Sequence, residues 1–256
     1  MPGADGSPIL AVEGLTVTFG GVTAVDRVDF ALTRGNLTGL IGPNGAGKTT
    51  TIDAISGFVP SRGRIQFEGS DISDLAAHRR AASGLCRTWQ SLELFDDLSV
   101  RENLTVAAHG SGGLELLRDA VHPARHPELG EVEGALELLG LTEIAHRLPT
   151  ELSLGQRKLV ALARGVAARP RLLLLDEPAA GLDSTESAAL GARLRDLIET
   201  GITILLVDHD MGLVLEVCDH LLVLDFGQLI AAGDPTKVRR DPRVIEASLG
   251  AGDPAA

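Results

Sequence analysis

Leu37-Thr38-Gly39-Leu40-Ile41-Gly42-Pro43-Asn44-Gly45-Ala46-Gly47-Lys48-Thr49-Thr50 carries the pattern that decides the fold: an apolar strand, a glycine-rich loop and the opening of a helix. Glycines let successive backbone N–H groups curl toward one point without Cβ obstruction. The helix start adds a partial positive charge at the same place. This strand–loop–helix setting is the one a phosphate-binding P-loop requires. Lys48 is expected to reach the β- and γ-phosphates of a nucleotide, and the Thr49 hydroxyl to ligate Mg²⁺. The expected nucleotide-binding set is Gly42, Pro43, Asn44, Gly45, Ala46, Gly47, Lys48, Thr49 and Thr50, with the helix running to about Gly57. A glycine-rich turn without a ligand is the competing reading.

The next signal lies far along the chain, in Leu172-Leu173-Leu174-Leu175-Asp176-Glu177-Pro178. Consecutive leucines suit a central parallel strand covered on both faces. Carboxylates at its C-terminal end sit where ligands bind in open α/β sheets. Asp176 is expected to hold Mg²⁺ through water, and Glu177 to polarise the attacking water. Taken alone, these carboxylates could be a solvated strand end; the P-loop supplies the nucleotide they would serve. Leu85–Thr88 and Ile202–Val207 read as further strands, running into Gln90 and into Asp208-His209. In a parallel sheet these ends share one edge with the P-loop. Gln90 is thereby expected to ligate Mg²⁺ or position water, and His209 to contact the γ-phosphate.

Short apolar runs alternating with helical patterns indicate an α/β chain with a mostly parallel sheet. Residues 9–36 and 62–70 instead alternate apolar and polar, as antiparallel strands do. Residues 91–160 are mainly helical in pattern: Ser99-Val100-Arg101-Glu102 is a capping box, and Glu131–Leu139 carries an apolar stripe. Gly110-Ser111-Gly112-Gly113 opens a loose connection between them.

At 256 residues with 44% hydrophobic content, the chain suits a single large domain with subdomains. No run approaches the roughly 18–20 unbroken apolar residues of a membrane span. The opening residues lack the basic and apolar regions of a secretory signal, so a cytoplasmic protein is expected. Cys86 and Cys218 are far apart and outside metal-ligand spacing, which predicts reduced, semi-buried thiols. A net charge of −12 argues against nucleic acid and against adsorption to anionic lipid. Membrane attachment is therefore expected to run through a protein partner.

Leu152-Ser153-Leu154-Gly155-Gln156 precedes the amphipathic run Arg157–Ala168, so Ser153 sits at a helix N-cap. It can be only that cap. A helix start bearing Ser and Gly is also an anion site, and this chain has one P-loop. A γ-phosphate held by another subunit is the economical ligand, which implies two chains arranged about a two-fold axis.

With these motifs in place, the sequence closely resembles the ATP-binding cassette (ABC) family, from about Leu10 to Gly250. The P-loop, Gln90, Leu-Ser-Leu-Gly-Gln, Asp176-Glu177, Gly181-Leu182-Asp183 and His209 occur once each in the family's order. The resemblance implies an ABC-type nucleotide-binding domain over residues 8–250: a mostly parallel core sheet, an antiparallel β subdomain and a helical subdomain at about 91–160. Residues 1–7 and 251–256 are expected to be flexible termini. It implies an Mg²⁺-dependent ATPase whose signature, Ser153, Leu154, Gly155 and Gln156, contacts ATP across the dimer. Leu154 stands where the commonest family form has a second glycine, while Ser153 and Gly155 match. The resemblance assigns Phe19 to stacking on adenine. Asp183 is assigned to communication across the dimer, although with Glu186 three residues on it could simply cap a helix.

The implied partners are transmembrane permease subunits, a second ATPase subunit of the same or a related chain, and indirectly a solute-binding protein. That would place the chain on the inner face of the cell membrane. Ser91–Asn103 would form the groove that accepts a permease helix, or else pack within the helical insert. Arg87-Thr88-Trp89-Gln90, Asp208-His209-Asp210-Met211 and Ala247-Ser248-Leu249-Gly250 look like the branched-chain amino-acid importer branch, which also serves amides and urea. The alternatives are a lipid- or lipopolysaccharide-exporting ATPase, a soluble ABC ATPase acting on DNA or ribosomes, and a non-hydrolysing adaptor.

Overall fold

The computed structural model describes residues 7–88, 93–108 and 127–249. Trp89, Gln90, Gly110–Gly113 and the termini up to residue 6 and from residue 250 lie outside the described residues. Among those described, the strands form two sheets. β1 (Pro8–Phe19), β2 (Val22–Thr33), β4 (Arg62–Phe67) and β5 (Ser70–Asp71) make an antiparallel sheet in the order β2-β1-β4-β5. β3 (Leu37–Ile41), β6 (Leu85–Arg87), β7 (Leu172–Asp176), β8 (Thr203–Val207), β9 (His220–Asp225) and β10 (Gln228–Gly233) make the other, in the order β10-β9-β3-β8-β7-β6. Its neighbours are parallel except for the β9–β10 hairpin at one edge. The reading of residues 202–207 and 85–88 as strands holds to within one residue at an end.

The leucine run explains the layering. All of Leu172–Leu175 is fully buried, and the pleat sends alternate residues to opposite faces. Leu172 and Leu174 join a core with the antiparallel sheet and helix α1 (Lys48–Ser56), which contributes Ile52 and Ile55. Leu173 and Leu175 join a second core with α3 (Val100–Ala108), α4 (Pro127–Leu138), α5 (Leu154–Ala167) and α6 (Ser184–Glu199). Each leucine buried this way contributes about 1.5–3 kcal/mol. The remaining helices are α2 (Ala77–Ala82), α7 (Met211–Val217), α8 (Pro235–Val238) and α9 (Pro242–Leu249).

Helix starts follow their capping residues. Ser99 and Glu102 close the expected box ahead of α3, the Ser99 N–H donating to Glu102 Oε2 at 2.7 Å. Ser153 accepts from the Gln156 N–H ahead of α5, and Asp183 accepts from the Thr185 and Glu186 N–H groups ahead of α6. In α5 the buried residues Val160, Ala163 and Ala167 recur at helical spacing and turn that face inward. Cys86 is half-buried and Cys218 buried, and burial pushes their thiols up to about 11 and about 12. Both are inert at neutral pH.

The far end of α1 is held by Arg80 of α2, which is 3% exposed. Its guanidinium donates to the carbonyls of Ala54 and Ile55 at 2.8 Å each, of Leu75 at 2.8 Å and of Ser73 at 2.7 Å. It thereby satisfies carbonyls that a helix end leaves open. Replacing it with Arg80→Met strands several acceptors in the interior. The variant is expected to lose about 3 kcal/mol of stability, read as a lowered urea midpoint with unchanged slope.

Candidate functional site

The loop after β3 is shaped by its neighbours. Gly42 has φ of +147°, and a Cβ there would lie 2.0 Å from the Leu224 carbonyl oxygen of β9. Gly47 has φ of +99°, and its Cβ would lie 2.5 Å from the Ala24 carbonyl oxygen of β2. Glycine is thus the residue that lets the loop pass between two strands. The Gly227 N–H, from the β9–β10 turn, donates to the Ala46 carbonyl at 3.0 Å. Asn44, Gly45 and Thr49 are exposed along the crest, while Ala46 and Lys48 are buried. Gly47 caps α1 without a side-chain bond, leaving the first-turn N–H groups to a ligand.

Lys48 Nζ donates to the carbonyls of Gly42 at 2.7 Å and Pro43 at 2.9 Å. Burial lowers its pKa, and the negative charges of Glu177 and Asp176 oppose that shift. Thr49 Oγ1 lies 3.5 Å from Asp176 Oδ1, so the helix start and the end of β7 face each other. Burial raises the Asp176 pKa, with the Arg87 charge acting against it. Thr49 and Asp176 are hard oxygen donors, the kind a divalent cation such as Mg²⁺ takes. No group of three or more His, Cys, Asp or Glu gathers as a metal cage among the described residues. A cation held here would complete its shell with phosphate and water, which is the habit of Mg²⁺.

Glu177 follows with φ of +49°, a left-handed backbone uncommon for a non-glycine residue. Its N–H donates to the Val207 carbonyl at 2.8 Å, and its own carbonyl accepts from Lys158 Nζ of α5 at 3.4 Å. Burial lowers the Lys158 pKa, while Asp208 and Glu177 act in the opposite sense. His209 Nδ1 stands 4.0 Å from Glu177 Oε2, on an exposed side chain. Asp208, fully buried beside it, accepts from the Ala179 N–H and the Asp210 N–H at 3.0 Å each. One carboxylate thereby ties the loop after β7 to the loop after β8.

The structure therefore brings Lys48, Thr49, Asp176, Glu177 and His209 to one sheet edge. Gln90 lies outside the described residues. Phe19 ends β1 half-exposed at the hairpin with Val22, which enters β2 two residues before Ala24 and the P-loop contact. Ser153 is exposed at the start of α5, and Gly155 packs against Glu186 of α6. The Leu154 side chain lies against Gly181, so the residue that departs from the common signature packs on the loop before Asp183. Residues 93–95 contact α5: Arg164 donates to the Glu93 carbonyl and lies over the Phe95 ring at 5.2 Å. Sequence reasoning missed the roles of Arg87, Lys158 and Asp208. Each depends on a partner more than ten residues away, and no local pattern announces it.

The chain is similar to known proteins over most of its length. The family model described as "ABC transporter" matches residues 25–180. The high-affinity branched-chain amino acid transport ATP-binding protein BraF of Pseudomonas aeruginosa is 42% identical over 252 residues, covering 95% of this chain and 98% of that one. The corresponding LivG of Escherichia coli is 38% identical over 253 residues, covering 95% and 98%. The lipopolysaccharide export system ATP-binding protein LptB of Haemophilus influenzae is 34% identical over 243 residues, covering 94% and 97%. Among solved structures, the ADP conformation of MJ1267, an ATP-binding cassette of an ABC transporter, superposes with a TM-score of 0.85 at 33% identity, covering 95% and 99%.

Asp208 offers a test of how the two loops are held. Asp208→Ala leaves two N–H donors without their acceptor. The expected cost is about 2–3 kcal/mol in chemical denaturation, with ATP turnover reduced at least about tenfold as Glu177 and His209 lose register.

Proposed function

This chain belongs to the ABC transporter family, and from that premise we propose that it acts as one of two ATP-binding subunits driving a permease for branched-chain amino acids or related small polar solutes. As a member of the family it is an ATP-binding subunit and an ATPase. The observation that carries the mechanism is the meeting of α1 and β7: Thr49 faces Asp176 across 3.5 Å, with Glu177 next in the chain.

In this reading the P-loop amides and Lys48 bind the β- and γ-phosphates, and Phe19 stacks on adenine. Thr49 and Asp176 would hold Mg²⁺, which would neutralise charge on the phosphates. Glu177 takes the proton of the attacking water, and His209 contacts the γ-phosphate and orients Glu177. Ser153, Gly155 and the start of α5 close on the nucleotide of the partner subunit. The Lys158 bond to the Glu177 carbonyl supports this coupling, because it joins the signature helix to the strand end that carries the base. Asp183, which caps α6, takes part in communication across the pair in this reading. Hydrolysis removes the shared phosphate contact and lets the pair reopen.

No helix among the described residues is long and apolar enough to cross a membrane. Relatives that are subunits of membrane transporters support attachment through permease subunits on the inner face of the membrane. The higher identity to BraF and LivG than to LptB supports amino-acid import over lipopolysaccharide export.

Two outcomes are expected. Glu177→Gln slows turnover by about 10²–10⁴-fold and runs as an ATP-bound dimer in size-exclusion chromatography; near-wild-type turnover removes Glu177 as the base. Deleting the chain in its native cell abolishes saturable uptake of labelled leucine, and gentle-detergent purification recovers permease subunits with it. Unchanged leucine uptake, with lipopolysaccharide retained in the inner membrane, moves the chain to export.

A further inference from the structure

Arg87 is the last residue of β6 and stands opposite Leu174 of β7. Paired residues share a face of the sheet, and Asp176 lies two residues beyond Leu174, so Arg87 and Asp176 project to the same side. That side is covered by α1. There the Arg87 side chain, 5% exposed, spans two carboxylates. Its Nη2 donates to Asp176 Oδ2 at 3.1 Å, and its Nη1 donates to Asp53 Oδ1 of α1. The guanidinium carbon also lies 5.9 Å from the centre of the Phe58 ring, just beyond the end of α1.

The placement of the atoms gives this bridge a consequence beyond stability. Arg87 occupies one oxygen of Asp176, and the other, Oδ1, is the one that faces the Thr49 hydroxyl. Asp53 lies four residues after Thr49, one helical turn along α1. The same planar fork thus fixes the carboxylate directly and the hydroxyl through its helix. Lysine is a poorer bridge here, because its ammonium lacks the rigid planar fork that sets both donor directions at once. Outer-sphere partners of this kind set the orientation of metal ligands.

We propose that Arg87 is a positioning residue for the divalent cation of the nucleotide site, turning Asp176 Oδ1 toward Thr49 and locking α1 against β7. The proposal rests on the reading of Thr49 and Asp176 as the groups that hold Mg²⁺. A plain structural staple between β6 and α1 would weaken the fold and nucleotide binding together. A positioning role weakens cation binding selectively.

The test uses Mn²⁺ as the probe on the full chain. Mn²⁺ retention is followed by electron paramagnetic resonance with ADP present and protein in excess, and metal-free affinity by fluorescent ADP in EDTA. Arg87→Met is expected to weaken Mn²⁺ retention about tenfold while metal-free ADP affinity stays within about twofold. Arg87→Lys keeps the buried charge and guards against a variant that fails to fold; it is expected to weaken Mn²⁺ retention at least about threefold. Unchanged Mn²⁺ retention in Arg87→Lys, or an equal loss of metal-free ADP affinity, overturns the proposal. Asp176→Asn separates the two layers. If it loses Mn²⁺ while the Arg87 variants do not, only the role of Arg87 fails. If it keeps Mn²⁺, the metal-site reading fails and the inference falls with it.

Discussion

A parallel strand buried on both faces must fill its length with apolar side chains and can place polar chemistry only where it ends. In β7 every leucine is buried, half of them in each core, and the first polar residue is Asp176. β3, apart from Thr38, and β8 after Thr203 follow the same pattern and release their chains at the same edge, into the P-loop and into Asp208-His209. The sheet's burial therefore gathers the charges. Lys48, Asp176 and Glu177 meet because β3 leads through the loop into the helix that opens with Lys48 at the edge where β7 ends in its carboxylates.

Those charges lie in a partly dry setting, and the structure answers with multiple contacts instead of isolated ion pairs. Lys48 rests on two carbonyls, Asp176 is bridged by Arg87, and Asp208 accepts two backbone N–H groups. A buried charge left with one poor partner is costly, whereas one held at several points is both tolerated and oriented. The same bonds that make burial possible also determine which oxygen faces the site.

Much of this was legible in the residues because it is local. The strand–loop–helix of the P-loop, the apolar run of β7 and the boxes at Ser99, Ser153 and Asp183 each fit within a few positions, where spacing alone decides them. Arg87, Lys158 and Asp208 were not legible, since their partners come from other strands and helices. A single arginine or lysine in a helix or edge strand carries no sign of that. Ser153 and Asp183 show a further limit. Each is fully accounted for as a helix cap within its own chain, so a role toward a second subunit adds nothing visible to the monomer. The β9–β10 hairpin also escaped the sequence reading, although its turn supports the P-loop through Gly227.

The left-handed backbone at Glu177 sets the residue preferred by the fold against the one the proposed chemistry needs. For an ordinary side chain this conformation costs roughly 1–2 kcal/mol, while glycine adopts it freely and asparagine nearly so. On the proposed reading of Glu177 as the base, a library screened for thermal endurance alone would drift toward those residues here and emerge sturdier but slower. On that reading the carboxylate is kept by the demands of turnover, so position 177 separates a chain selected for catalysis from one selected for endurance alone.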